Sequence, residues 1–226
     1  MKYHCFFEQS GTFKNEFKKL GIEAIDYDIK NDFDETDIII DLFNEFDKSY
    51  AGELSIFDDF EKDDRIIAFF PCIYFETQNS LLFQGVAPQF KNYTIEQKCE
   101  YAMKRHEQLH KYYCWLNKLV IVCERRKIPL IIENPLTPPH YLTQWWCCKA
   151  KIFDKNRRLS GDYYKKPTQY WFFNLEPNQN MFLEPIEETE FYSINHSKSK
   201  GGRSIQVMRS MIHPQYAKNF IKKYLI

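Results

Sequence analysis

The sequence predicts an α/β fold, a mostly parallel sheet with helices on both faces. Three observations carry this. The runs Tyr3–Phe7, Ile66–Phe70 and Leu130–Ile132 are short and largely apolar, the pattern of strands buried on both sides. Stretches with helical spacing of apolar residues separate them. The first unit reads strand, glycine-containing turn, helix, then strand ending in acid, which is the opening of a nucleotide-binding fold.

In order along the chain, Tyr3 to Phe7 is the first strand and Gln9-Ser10-Gly11-Thr12 the turn after it. Phe13, Phe17 and Leu20 mark one helix face, and Gly21 closes that helix. Ile22 to Ile29 is the second strand, ending in Asp26-Tyr27-Asp28. Asp37 to Asp41 is a third apolar stretch, read as strand unless Leu42, Phe43 and Phe46 draw it into a helix. Arg65 to Phe70 is a strong strand. Thr94 to Arg126 is helical, with Tyr101, Leu109, Tyr113, Leu116 and Val120 on one stripe, and is long enough that a break is expected. Pro129 to Ile132 is the next strand. Beyond Pro135 come a loop at Thr137–His140, an aromatic stretch at Tyr141–Trp146 and a turn-rich stretch at Ile152–Tyr164. A strand at Tyr170–Phe173, loops at Asn178–Asn180 and Ser197–Gly202, an ambiguous Arg203–Met208 and a helix from Pro214 to Leu225 follow.

The 226 residues suffice for one sizeable domain, and 44 % hydrophobic content supports a packed core. That domain divides into a cofactor and catalytic core at 1–135, a variable substrate-facing segment at 136–202 and a closing helix at 203–226. Formal net charge is zero, so no global field draws nucleic acid. The charge is uneven, however. Residues 1–65 are acid-rich, whereas 191–226 hold no acid and carry Lys198, Lys200, Arg203, Arg209, Lys218, Lys222 and Lys223. Seven scattered cysteines without a CxxC pair argue against a disulfide framework or zinc ribbon. His106 and His110 lie at i, i+4 without the rest of a metal motif, so no metal is expected. The N-terminus lacks the apolar stretch of a signal peptide, and no window is long enough to span a membrane. A soluble, cytoplasmic protein is the expectation; nothing in the sequence specifies its oligomeric state.

Two strand ends carry the chemistry. Cys72 follows Pro71 at the end of one apolar run, and Glu133-Asn134-Pro135 ends another. If these strands are parallel neighbours, a thiol and a carboxylate meet at one sheet edge, a pairing suited to nucleophilic catalysis. A buried structural cysteine and a salt-bridged glutamate are the plainer alternatives. In the turn Phe7-Glu8-Gln9-Ser10-Gly11, one glycine permits close backbone approach to a ligand, although an ordinary connection fits as well. Asp28, with Asp26 competing, stands where a carboxylate can accept ribose hydroxyls. Asp41 is a further candidate, for an adenine amino group. The segment from Arg157 and Arg158 through Lys165, Lys166 and Thr168 to Trp171 mixes bases with aromatics. That suits phosphate contact and stacking, or equally a surface hairpin.

The order of these motifs is specific. A turn with Gly11, an acidic second strand, a strand into Phe70-Pro71-Cys72 and a strand into Glu133-Asn134 together resemble the cytosine-C5 DNA methyltransferase family. The resemblance covers most of 1–135 and part of 203–226. It implies a Rossmann-like S-adenosyl-L-methionine-dependent methyltransferase fold acting on DNA; a methyltransferase acting on RNA, a nucleotide or a small molecule is an alternative that needs no large DNA reader. Cys72 is then the nucleophile attacking cytosine C6, with Glu133 against the base and Arg158 beside it. Phe7, Ser10, Gly11, Thr12, Asp28, Asp41 and Pro71 line the cofactor. Asn134, Arg157, Lys165, Lys166 and Thr168 face the substrate, and 209–217 resembles the segment that returns to the cofactor pocket. The chain departs from the family in four places, one being that the family's arginine-rich strand is only loosely matched by Arg157 and Arg158. Gln9 replaces the first turn glycine, Phe70 stands where a second proline is usual, and the stretch for a target-recognition domain is short. A lapsed enzyme that binds or inhibits is therefore the alternative implied.

Overall fold

A computed structural model describes residues 1–76, 78–137, 140–180 and 211–226. The strands are β1 (Lys2–Phe6), β2 (Glu23–Asp28), β3 (Ile38–Ile39), β4 (Arg65–Ala68), β5 (Leu130–Pro135), β6 (Ile152–Asp154) and β7 (Thr168–Phe173). They form one seven-stranded sheet in the order β3-β2-β1-β4-β5-β7-β6. The first five are mutually parallel, β7 runs against β5, and β6 runs against β7. The helices are α1 (Thr12–Lys19), α2 (Leu42–Ala51), α3 (Gln78–Phe83), α4 (Ile95–Arg126), α5 (Tyr141–Trp145) and α6 (Pro214–Tyr224).

Alternation along each strand builds two cores. Phe6, Ala68, Ile132 and Trp171 lie in one cross-strand row, and they join Phe46 of α2 and Leu116 of α4 in one buried cluster. One residue earlier or later, Cys5, Ile67, Ile131 and Phe172 form the row on the opposite face, packed with Phe13 and Phe17 of α1 and Phe220 of α6. Because side chains alternate with period two, a strand covered on both faces is apolar along most of its length, which is why these runs are nearly continuous; the buried exception in β1, His4, is paired with Tyr27 and Asp64. The sheet is thus mostly parallel with helices on both faces, an architecture compatible with a Rossmann-like fold.

The sequence leaves the 37–41 stretch open between strand and helix. The structure resolves it as a two-residue strand followed by α2, with the Asp41 side chain accepting from Phe43 N (3.0 Å) and Asn44 N (3.4 Å) as the helix cap. No break interrupts α4. A capping box between Thr94 and Gln97 starts it, and its 32 residues contain no Gly or Pro. At 1.5 Å per residue it is about 48 Å long, far longer than the strands. Its buried residues begin only at Leu109. Since α4 carries the chain back from the end of β4 to the start of β5, its N-terminal half overhangs the C-terminal edge of the sheet. The basic positions Lys198, Lys200, Arg203 and Arg209, with the 197–202 loop and the 203–208 stretch, lie outside the described residues.

β1 is followed through α1 to β2 on one side, whereas β4 lies on its other side. Chain order therefore reverses between β1 and β4, and the crevice outside their C-terminal ends is where open α/β sheets bind ligands.

Candidate active site

A cleft of about 450 Å³ opens at that reversal point. Phe7 to Ser10 line it from the turn after β1, and Lys30, Asp32 and Phe33 from the loop after β2. Phe69 to Cys72 follow β4, Glu133 and Pro135 belong to β5, Lys166 precedes β7, and Met211 and Ile212 precede α6. Its volume is within the range of small-molecule sites. Cys72 and Glu133 share this one cleft, the convergence expected of the two strand ends.

The turn after β1 is sharply bent. Phe7 and Gly11 both have left-handed backbones, with φ of 59° and 61°. At Gly11 a Cβ would meet the mobile ends of Glu35 (Oε2, 2.9 Å) and Lys14 (Cε, 3.1 Å), and the left-handed φ is the stronger reason that glycine stands there. Glu8 is turned inward. Its Oε1 accepts from Phe13 N (2.7 Å) and its Oε2 from Lys14 N (3.2 Å). The free N–H groups at the start of α1 are thus met by a carboxylate of the protein itself. Burial pushes the Glu8 carboxyl up to about 7, despite those two hydrogen bonds. Ser10 Oγ contacts Thr12 Oγ1 at 2.9 Å, which places Thr12 behind the turn and outside the wall.

Asp28 ends β2 but does not line the cleft. It is buried, accepts from Lys30 N at 2.8 Å and also interacts with the Gln9 side chain; burial raises its carboxyl. Lys30 and Asp32, a little further on, line the wall instead. Asp41 is taken up as the α2 cap and is exposed away from the cleft. Asp26, the competitor of Asp28, is fully buried and paired with Lys14 at 3.1 Å.

Asn134 is wholly buried, and its Nδ2 donates to Phe70 O (2.8 Å) and Glu133 O (3.0 Å). It therefore straps the end of β5 to the segment carrying Cys72, rather than facing a ligand. The chain then turns so that Phe75 N donates to Cys72 O at 2.8 Å. Cys72 is half-buried, and its Sγ donates to Glu76 Oε1 at 2.9 Å. Burial, then the negative charge of Glu76, raise the thiol well above its ordinary range, while the Lys166 ammonium opposes them.

Glu133 is 6 % exposed, and its Oε1 has no hydrogen-bond partner. The nearest cation is Arg157, at 3.6 Å. Arg157 is completely buried, ion-paired to Asp162 at 2.6 Å and stacked over the Tyr216 ring at 4.3 Å. Thr168 Oγ1 lies 3.5 Å from it. Two expectations shift here. Arg157 is a core cation that faces Glu133 and cannot reach a phosphate, and Arg158 is half-buried and outside the cleft wall. Burial decides the first point, because a guanidinium out of water must be matched by a carboxylate. Thr168 is likewise buried and donates to Lys166 O, and Lys165 is exposed outside the wall; Lys166 alone of this group lines the cleft. The 157–171 segment is therefore partly core, with Trp171 1 % exposed.

The return of the C-terminal segment places Met211 and Ile212 in the wall, with Ile212 O 3.5 Å from Thr12 Oγ1. Arg209 and Ser210 lie outside the described residues. Among the described residues no cluster of His, Cys, Asp and Glu could hold a metal ion, and no helix is long and apolar enough to cross a membrane. Sequence reasoning missed Glu76, Lys30 and Asp32. For Glu76 a signal existed, since it lies four residues after Cys72; for the other two there was none. No protein-family model matches the chain, and no curated protein matches it in sequence.

Proposed function

We propose that the protein is an S-adenosyl-L-methionine-dependent methyltransferase acting on C5 of a cytosine in DNA. The observation that carries this reading is the shared cleft. Cys72 and Glu133 line the same cleft as the turn after β1, at the reversal point of the sheet. The Glu8 carboxylate favours this cofactor over a dinucleotide. A pyrophosphate binds the free N–H groups at a helix N-terminus, and here Glu8 already holds them. A sulfonium cation meets no such conflict beside Glu8, Asp32 and the rings of Phe7 and Phe70. When bound, that cofactor supplies an electrophilic methyl group.

The residues present match the remaining chemistry. Cytosine C5 is a poor nucleophile. Addition of the Cys72 sulfur to C6 forms an S–C6 bond and moves the ring electrons so that C5 becomes nucleophilic. Glu133, held by Arg157, hydrogen-bonds the ring edge where charge develops. After C5 takes the methyl group, a base accepts the C5 proton, the freed C–H pair re-forms the C5–C6 double bond, and the S–C6 bond breaks with its pair leaving on the Cys72 thiolate. A duplex substrate must first present the base outside the stack. Lys166 provides a positive charge at the mouth of the site.

The test is transfer of label from tritiated cofactor to DNA, RNA and free nucleotides, in the native protein and in Cys72→Ala. The expected result is transfer to DNA that Cys72→Ala abolishes while cofactor titration is unchanged. Equal transfer by Cys72→Ala would rule out the covalent route. A second reading, a binding module of lapsed activity, is favoured by the Gln9 contact to Asp28, which engages the carboxylate expected for ribose. Absence of any cofactor heat or thermal shift would favour the module.

A further inference from the structure

We propose that Glu76 is the base that removes the proton from Cys72. This rests on the reading of Cys72 as a nucleophile and adds a partner that the sequence motifs did not supply. The Sγ proton already points at Glu76 Oε1, across 2.9 Å. That distance is short for a sulfur donor, which is commonly longer than an oxygen one. The two side chains are fixed to each other by the backbone. Phe75 N and Glu76 N both donate to Cys72 O, at 2.8 and 3.3 Å, so the turn after Pro71 brings residue 76 back over the sulfur. A second anchor lies just beyond. The Arg105 guanidinium from α4 sits over the Tyr74 ring at 4.5 Å and donates to Ile73 O at 3.4 Å.

The alternative acceptors are poorly placed. Glu133 interacts with the thiol only at a distance and faces Arg157. Lys166 is a cation, which stabilises a thiolate once formed and does not accept the proton. The groups that bear charge on the sulfur are therefore Glu76, Lys166 and Glu133. In the resting protein the thiol is protonated and Glu76 holds its hydrogen bond. As the sulfur attacks an electrophilic carbon, the S–H bond breaks, the proton passes to Glu76 Oε1, and the S–C bond forms from the freed pair. When the thiolate is later expelled, the same carboxylic acid returns the proton.

The experiment follows alkylation of Cys72 by iodoacetamide, read on its own peptide by mass spectrometry, from about pH 5.5 to about pH 9. It needs neither cofactor nor nucleic acid, so its outcome is separate from that of the methyl-transfer test. Iodoacetamide accepts the sulfur, loses iodide and leaves the proton to the base. With Glu76 as base, the native protein keeps a nearly pH-independent rate below neutrality. In Glu76→Gln only free thiolate reacts, so the rate falls about tenfold per pH unit throughout. The native protein and Glu76→Gln also differ in the opposite sense above neutrality. Loss of a neighbouring negative charge lets the thiol ionise at lower pH, so Glu76→Gln reacts faster than the native protein there. Glu76→Asp, with a shorter reach, restores part of the low-pH rate, and an unchanged thermal midpoint shows that the fold is kept. Parallel profiles for native protein and Glu76→Gln overturn the proposal. If Glu76→Gln fails to fold, the profiles of Glu76→Asp and the native protein decide it, since identical low-pH rates would also sink it.

Discussion

Replacing Asp162 by Asn isolates the charge that keeps Arg157 in the core. Arg157 and Asp162 are both essentially inaccessible, and their charged atoms lie 2.6 Å apart. The other Asp162 oxygen accepts from Tyr163 N at 2.8 Å and His213 N at 3.0 Å, tying the 157–162 turn to the start of α6. An amide oxygen can keep those two bonds, so Asp162→Asn removes charge and little else. The guanidinium is then left with Glu133 at 3.6 Å. Breaking a buried pair from one side costs about 3–5 kcal/mol, because the remaining ion stays desolvated. For a chain of this size that lowers the thermal midpoint by roughly 6–20 °C. Arg157→Met leaves Asp162 with two backbone donors and is milder. The double variant, lacking both charges, is more stable than Asp162→Asn alone, a positive coupling that a double-mutant cycle by circular dichroism measures. A fall below about 2 °C for Asp162→Asn, or simple additivity in the cycle, refutes the reasoning.

Other outcomes follow from the same structure. Gly11→Ala forces a Cβ against Glu35 and Lys14 at a left-handed φ, and should cost about 1–3 kcal/mol in urea unfolding while weakening cofactor titration. Glu8, pushed up to about 7 by burial, binds its proton more tightly folded than unfolded. Its contribution is therefore fully present below the unfolded carboxyl value of about 4.3 and is lost as pH rises through about 7. Urea unfolding of Glu8→Gln across that window should lack this descent, and an unchanged slope contradicts the assignment. Asn134→Ala removes the bond to Phe70 O that straps β5 to the Cys72 segment and should cost about 1–3 kcal/mol, with a disproportionate loss of methyl transfer because Cys72 is no longer held.

Legibility followed burial. β1, β4 and β5 could be read because a strand covered on both faces is mostly apolar, and the pairing of Cys72 with Glu133 was readable because β4 and β5 are parallel neighbours whose C-terminal ends lie at one edge of the sheet. The direction of β7 was not readable, since an apolar run has no polarity of its own. Neither was the choice between Arg157 and Arg158. Neighbours on a tight turn point apart, and only the position of Asp162 fixes which one goes inward. Gly11 was legible as a backbone need, but Glu8 beside it was not, because a carboxylate reaching back to N–H groups five and six residues on depends on the bend at Phe7. Asp28 and Asp41 were sensible by position and differ in use: one accepts from its own loop, the other caps α2.

The lopsided burial of α4 has a dynamic consequence. From Ile95 to Gln108 no residue is buried, whereas Leu116, Leu119, Val122 and Cys123 are sealed in the core. Amide protons in the overhanging half should exchange with deuterium through local fraying, and those around Leu119 only when the whole molecule opens. One continuous rod would then report two very different protection factors, and the gradient along it would locate the rim of the core.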